Sequence, residues 1–405
     1  MTVPSRVPVL VLDRAGYAGL RGADGRPYLD PDRYAVHLVT GLDRLGQVRI
    51  DELASVVAVP PGDDPALAAA ARCAAVRAGG PVARVVALRE DLLLLAAALR
   101  DELGLPGPGL ALTRLFRDKV AMKAHLRRHG IAVPDWAPLG TPAARDLAAT
   151  GAVLVAKPRL GLGNRDIHEL RGGAELAAFT RDLGDRVGGY QVERFVTGQL
   201  CHVDSVVSGG TVVVATAGRY LDGTLAYRRL APCRSVAVAP GPDLAALLEF
   251  NRRVLACFPG YTGVAHHEVF LTGAGPVLCE IGARAGGGGI AAGFASRTGL
   301  DLAGVAVAAQ VGGTVPAPVP VAGHLTGFTL LYRPAGVLRR PLRAPDEPWV
   351  LHARVLAHPG ERLSAPAGAG DAVAVVSVRG ATEAEVTGRL ERVRQSMCPV
   401  PDPPP

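Results

Sequence analysis

Lysine is scarce in this chain: of 44 basic residues only Lys119, Lys123 and Lys157 are lysines. Where arginine is used almost everywhere, a surviving lysine suggests a place that wants a compact point charge rather than a planar guanidinium fork. Phosphate is a common ligand for such a charge. Aromatic residues make up only 4% of the chain and no basic run is interleaved with them. The formal charge of +7 therefore speaks for small anionic substrates and against a nucleic-acid interface. The six cysteines, Cys73, Cys201, Cys233, Cys257, Cys279 and Cys398, form no Cys-x-x-Cys pair and no Cys/His cluster with zinc spacing. Reduced thiols in a cytoplasm are expected.

Other signatures are absent as well. No Gly-x-Gly-x-x-Gly follows the first apolar strand, no Gly-Lys-Ser/Thr completes a Walker A loop and no Gly-x-Ser-x-Gly elbow occurs. Dinucleotide binding, the P-loop and a serine-hydrolase triad all lack support. The apolar stretch in "MTVPSRVPVLVLDR" is too short for a signal core. Residues 302–323 carry no charge, but Pro316, Pro318 and Pro320 make them a poor membrane span. A soluble protein is expected.

At 405 residues and 49% hydrophobic the chain suits two or three globular domains. Short buried strands at 8–12, 35–40, 54–59 and 83–88 alternate with Ala/Leu-rich helices at 64–78 and 90–103, the pattern of a parallel α/β sheet. Residues 111–129 read as one helix ending at Gly130, with Lys119 and Lys123 a turn apart on one side. "GAVLVAKPRLGLGNRD" then predicts a strand at 152–156 with Lys157 at its end, followed by a loop whose Gly161 and Gly163 let backbone amides approach an anion. Downstream, helices are expected at 174–183, 243–258, 301–310 and 382–394. Strands are expected at 190–196, 201–207, 211–217, 325–332, 349–356 and 371–378, with a disordered "PDPPP" tail.

"HHEVFLTGAGPVLCEIGAR", residues 266–284, reads as a hairpin turning at Gly273, Ala274 and Gly275. Centred on Ala274, it sets Glu268 opposite Glu280, His266 opposite Gly282, Val264 opposite Arg284 and Phe270 opposite Leu278. One face then carries His266, Glu268, Glu280 and Arg284, while Val269, Leu271, Val277, Cys279 and Ile281 take the core side with His267. Like charges placed directly opposite are destabilising unless they hold a proton or a cation between them. A hard divalent ion such as Mg²⁺ suits two carboxylates.

The motifs "RDKVAMKAHLRRHGIAVP", "VAKPRLGLGN", "VERFVTG", "HVDSVV", "HHEVF" and "CEIGARAGGGGI", in this order over roughly residues 85–300, resemble the ATP-grasp superfamily, and within it the carboxylate–amine (L-amino acid) ligases. The resemblance implies an α/β (α+β) ATP-grasp fold. Its parts would be a Rossmann-like parallel-sheet domain over 1–114, an ATP-grasp domain over 115–324 with lobes 115–189 and 190–324, and a C-terminal α+β subdomain over 325–405.

It also implies ATP and Mg²⁺ as cofactors, with Mn²⁺ as the alternative ion. Lys119 and Lys157 would hold the phosphates, beneath a flap from Arg159 to Asn164 that includes Gly161 and Gly163. The hinge Glu193, Arg194, Phe195 and Val196 would recognise adenine. Glu268 and Glu280 would bind metal. Arg284 and Lys157 would serve catalysis, and Gly286 to Gly289 would offer backbone donors. Substrate contacts are expected at His202, Asp204, Arg219, His266, Gly287 and Gly288. Two positions depart from the family: Gly282 replaces the asparagine metal ligand, with His266 placed to lean in, and Leu200 stands where an acid often holds the ribose.

The activity implied is amide or peptide bond formation through an acyl phosphate, with ADP and phosphate released. A small carboxylate and an amine would be the substrates, at least one an amino acid, in natural-product (antibiotic) metabolism. The resemblance leaves room for a homodimer. The rivals are an ATP-grasp carboxylase or phosphoribosylamine-type ligase, and a nucleotide-sensing module without turnover.

Overall fold

The computed structural model describes residues 6–77, 80–319 and 323–397; the "PDPPP" tail and Cys398 lie outside them. Strands rich in valine and leucine open the chain. β1 (Val7–Leu12), β2 (Tyr34–Gly41), β3 (Ser55–Val59) and β4 (Arg84–Ala87) run parallel in the order β3-β2-β1-β4. Val9 to Leu12 are wholly buried, as a strand covered on both faces requires. α1 (Asp64–Arg77) and α2 (Leu93–Leu103) cover one face. The other face takes Val307, a residue from far down the chain.

The stretch expected to be one helix is two: α3 (Leu110–Arg117) and α4 (Lys119–Arg128). Asp118 between them is extended, and its carboxylate accepts the amides of Val120 and Ala121. Aspartate at an N-cap favours a new helix start over continuation. Arg159 holds the same carboxylate at 2.5 Å, which ties the start of α4 to the glycine-rich loop.

A small lobe follows, built of β5 (Trp136–Pro138), α5 (Pro142–Ala149), β6 (Val153–Pro158), β7 (His168–Arg171), α6 (Gly172–Leu183) and β8 (Tyr190–Arg194). Its antiparallel sheet runs β5-β8-β6-β7. Leu154, Ala156 and Val192 pack with the helix residues Ala144, Ala148 and Leu176, so alternation turns Lys157, Gln191 and Glu193 the other way.

The large lobe comprises β9 (Gln199–Ser208), β10 (Thr211–Tyr220), β11 (Cys233–Ala237), α7 (Pro242–Ala256), β12 (Gly263–Thr272), β13 (Gly275–Gly282), α8 (Ile290–Thr298), α9 (Leu302–Gln310), β14 (Leu325–Leu331), β15 (Gly336–Val337), β16 (Val350–Val355), β17 (Arg362–Leu363), β18 (Ala374–Gly380) and α10 (Glu383–Met397). Eight strands join in the order β13-β12-β9-β10-β11-β14-β18-β16, so the last strands extend the lobe's own sheet. Leu247 and Val254 of α7 bury Cys201, Val203 and Ala217 on one face, where Val386 and Leu390 of α10 bury Val236. Ile290 and Phe294 of α8 lie with Phe328 and Val206 respectively. Among the described residues no single helix is long and apolar enough to cross a membrane.

Candidate active site

The hairpin sets His266 opposite Gly282 and Glu268 opposite Glu280. Closer to the turn the expected register fails. Val269 pairs with Leu278 and Phe270 with Val277, not with Leu278, because Cys279 is an extra residue in β13. Such a bulge re-aims the side chains beside it. Leu278 joins Val269 and Ile281 in the core, and Cys279 turns to the site, its Sγ 3.9 Å from Glu268 Oε2. The placement of Cys279 on the core face is thus corrected, as is the pairing of Val264 with Arg284: the ladder ends at Gly282. Arg284 lies beyond it and reaches Glu90 Oε2 at 2.5 Å.

Two of the three lysines meet the single acid of β8. Lys157 Nζ lies 2.6 Å from Glu193 Oε1, and Lys123 Nζ lies 2.8 Å from Glu193 Oε2, which also accepts from Gln191 Nε2 at 2.8 Å. Burial works against the Glu193 carboxylate, but the two ammonium groups hold it below the usual carboxylate range. Burial pulls the pKa of Lys123 down, while Glu193 overcomes burial at Lys157 and raises it. Lys119 Nζ meets Glu280 Oε2 at 3.0 Å and donates to Gly161 O at 2.9 Å. Burial opposes ionisation of Glu280, yet Lys119 and Lys157 hold it well below the ordinary range.

Glu280, Lys119, His266 and Arg284 line one small cavity with Glu90 and Arg117. Glu90 belongs to the segment after β4 and bridges Arg117 and Arg284, each at 2.5 Å. A Cβ at Gly282 would sit 3.5 Å from Arg284 Cγ and 3.9 Å from Glu90 Oε1, so a carboxylate from the segment after β4 stands beside the position where an asparagine ligand was expected. His266 has its Nδ1 engaged with Asp204 at 2.8 Å and its Nε2 3.9 Å from Glu268. Leu200 packs with the Tyr220 and Tyr227 cluster.

A buried polar chain backs the acids. Ser235 Oγ is 2.9 Å from His202 Nε2, His202 Nδ1 is 2.7 Å from Asp204 Oδ2, and Tyr220 Oη donates to Glu268 at 3.2 Å. Burial opposes the charge of Asp204, but His266 and His202 hold its carboxyl far below normal. The Asp204 carboxylate raises His266 to about 9 against the effect of burial. Gly286 closes against this chain: a Cβ there would lie 2.6 Å from Asp204 Oδ1, and one at Gly289 would lie 2.3 Å from Ser377 Oγ. Gly287 and Gly288 are solvent-exposed; close packing demands glycine at the two flanking positions, and at Gly288 a φ of 63° with a Cβ 3.1 Å from Phe328 Cε2 demands it as well.

Arg219 is not part of this surface. It follows Gly218, whose position faces His202, and strand alternation sends it to the opposite side, where it pairs with Asp243 and Glu383, each at 3.5 Å. Tyr220, the next residue, takes the site face.

The hinge residues divide. Arg194 and Phe195 commit their backbone amides to Asp135 O and Val153 O, Phe195 is exposed, and Val196 is half-buried. Gly163 and Asn164 both have positive φ, and the flap they belong to is tied down at two points: Gly163 O accepts the Ala369 amide at 2.8 Å, and Asn164 O accepts Tyr227 Oη at 2.8 Å.

His267 faces the other way, 3.2 Å from Asn251 Oδ1 and stacked on Phe250. Burial, aided by the charge of His266, pulls its pKa from 6.5 to about 3. Its contribution to stability is therefore full above 6.5 and is lost as pH falls toward 3, since the unfolded chain takes up a proton the folded core refuses. Thermal melts stepped from about pH 7 to pH 4 should show a smaller loss for His267→Gln than for the native chain. Equal pH dependence would remove His267 from the acid response.

No family model matches the chain. Its sequence is similar to an L-arginine-specific L-amino acid ligase of Bacillus subtilis, 28% identical over 222 residues, covering 52% of this chain and 53% of that protein. Human carnosine synthase 1 is 29% identical over 272 residues, covering 60% of this chain and 32% of that protein. The chain thus spans about half the length of one curated relative and a third of the other. Among solved structures, an L-amino acid ligase from Bacillus licheniformis superposes with a TM-score of 0.75 at 16% identity, over 96% of this chain and 98% of that one. The chain therefore has the fold of that ligase, with opposed carboxylates and buried lysines between its two lobes.

Proposed function

We propose that the chain is an ATP-dependent ligase that activates a small carboxylate as an acyl phosphate and passes it to an amine, at least one of the two substrates being an amino acid. The observation that carries this is the opposition of Glu268 and Glu280 on one face of a buried hairpin, with Lys119 on Glu280 and Lys157 within its electrostatic reach. Two hard oxygen donors of this kind fit Mg²⁺ or Mn²⁺, which would neutralise charge on the nucleotide phosphates when bound.

The chain's own residues account for the rest. Lys119 and Lys157, now held by Glu280 and Glu193, can exchange those carboxylates for phosphate oxygens. Arg284, oriented by Glu90, is placed to balance charge on the transferred phosphoryl group and on the tetrahedral intermediate, in a reaction that is mostly positioning and electrostatics. The substrate carboxylate oxygen attacks the γ-phosphorus and ADP leaves. The amine nitrogen then attacks the acyl carbon, phosphate leaves, and the nitrogen loses a proton. A flap fastened to both Tyr227 and Ala369 suits the exclusion of water that an acyl phosphate requires.

The test is ADP and phosphate release by purified protein with Mg-ATP and amino acids offered in pairs. Amine-dependent release is expected. Bicarbonate-dependent release would favour the carboxylase reading. Nucleotide binding by calorimetry without turnover across the panel would favour a sensing module.

A further inference from the structure

A second cavity, of about 830 Å³, opens where β10, β14 and α10 meet beneath the end of α8. Its size is that of small-molecule sites in general. It lies away from the paired glutamates. Thr216 on its wall stands four residues along β10 from Tyr220, the residue that reaches Glu268, which is roughly 13 Å of strand. A narrow extension of about 30 Å³ shares Thr216 and Arg297 with it and runs toward His202 and Gly289.

Arg297 is the unusual residue there. It sits in the last turn of α8 and lines both spaces. Arg284, Arg234 and Arg219 all have carboxylate partners, whereas Arg297 has none among the described residues, and burial alone acts on its pKa, pulling it down. A half-buried guanidinium without a counter-ion is a ready partner for an anion. The cavity also presents a carboxylate: Glu383, at the start of α10, accepts the Ala239 amide at 2.8 Å and shares Arg219 with Asp243. An unpaired cation and an acid around one space match a molecule that carries both charges.

We infer that this cavity binds a small zwitterionic carboxylate, a free amino acid or a short peptide, with its carboxylate on Arg297 and its ammonium toward Glu383. The site goes beyond the ligase reading, because roughly 13 Å of strand places it outside the bond-forming centre and binding there needs no nucleotide.

The test is saturation-transfer NMR on the full chain without nucleotide, using the twenty amino acids as a mixture and then singly, followed by their alanine dipeptides. At least one probe is expected to bind. Arg297→Gln should weaken it at least tenfold, Arg297→Lys should weaken it less, and Glu280→Gln should leave it unchanged. Should Arg297→Gln fail to fold, Glu383→Gln gives the second reading, with weaker binding of the same probe expected. Absence of binding by every probe, equal binding by Arg297→Gln, or loss confined to Glu280→Gln would each overturn the inference. None of these results depends on turnover, so a chain that makes no ADP can still bind here, and a working ligase can still refute the site.

Discussion

Glu280→Gln is expected to lower ATP-dependent turnover by about 10²–10³-fold, the scale on which removing one preorganised electrostatic group acts. The substitution keeps the side chain's size and removes its charge. Glu280 is the acid that faces Glu268, holds Lys119 at 3.0 Å and stays ionised in a half-buried place because Lys119 and Lys157 surround it. A neutral amide there leaves those cations under-compensated and offers a weaker ligand to a divalent ion. Steady-state ADP release, with circular dichroism to verify folding, measures the effect. Turnover within a few-fold of the native chain would remove Glu280 from the mechanism.

Glu193→Ala should be the most damaging single change to the fold of the small lobe, by about 3–5 kcal/mol, as expected when one partner of a buried ion network is removed. Its carboxylate is the shared counter-charge of Lys123 and Lys157 and accepts from Gln191, and Lys123 is wholly buried. Without it, two ammonium groups face each other in a dry site. Urea unfolding measures the loss. The double variant Lys123→Met with Glu193→Gln removes one of the two cations and should be clearly more stable than Glu193→Ala. A Glu193→Ala chain that unfolds within about 1 kcal/mol of the native one would show that the triad carries no such weight.

Much of the arrangement was legible along the chain. Period-two and helical patterning located the four parallel strands, the long helices and the hairpin, because those elements bury apolar faces regular enough to read. β5, β7, β11, α5 and α8 were missed: they are short, or rich in glycine, alanine and proline, and take their form from neighbours rather than from their own pattern. The break at Asp118 was hidden inside continuous helical periodicity, although an aspartate just before Lys119 was a visible capping signal.

At the site the contrast is sharper. Residue chemistry marked Glu268, Glu280 and the three lysines, and strand parity sent His267 into the core, whereas the opposition of Glu268 to Glu280 rests on the bulge at Cys279 as well as on the turn. Alternation along one strand is a local rule that needs no partner. Only the folded molecule placed Glu90 beside Arg284, inserted the bulge that turns Cys279 toward the acids, made Glu193 the counter-ion of two lysines and took Arg219 off the cleft face. Those outcomes depend on which segments distant in sequence come to rest against one another, and the burial and charge balance that select them exist only once the sheets have closed.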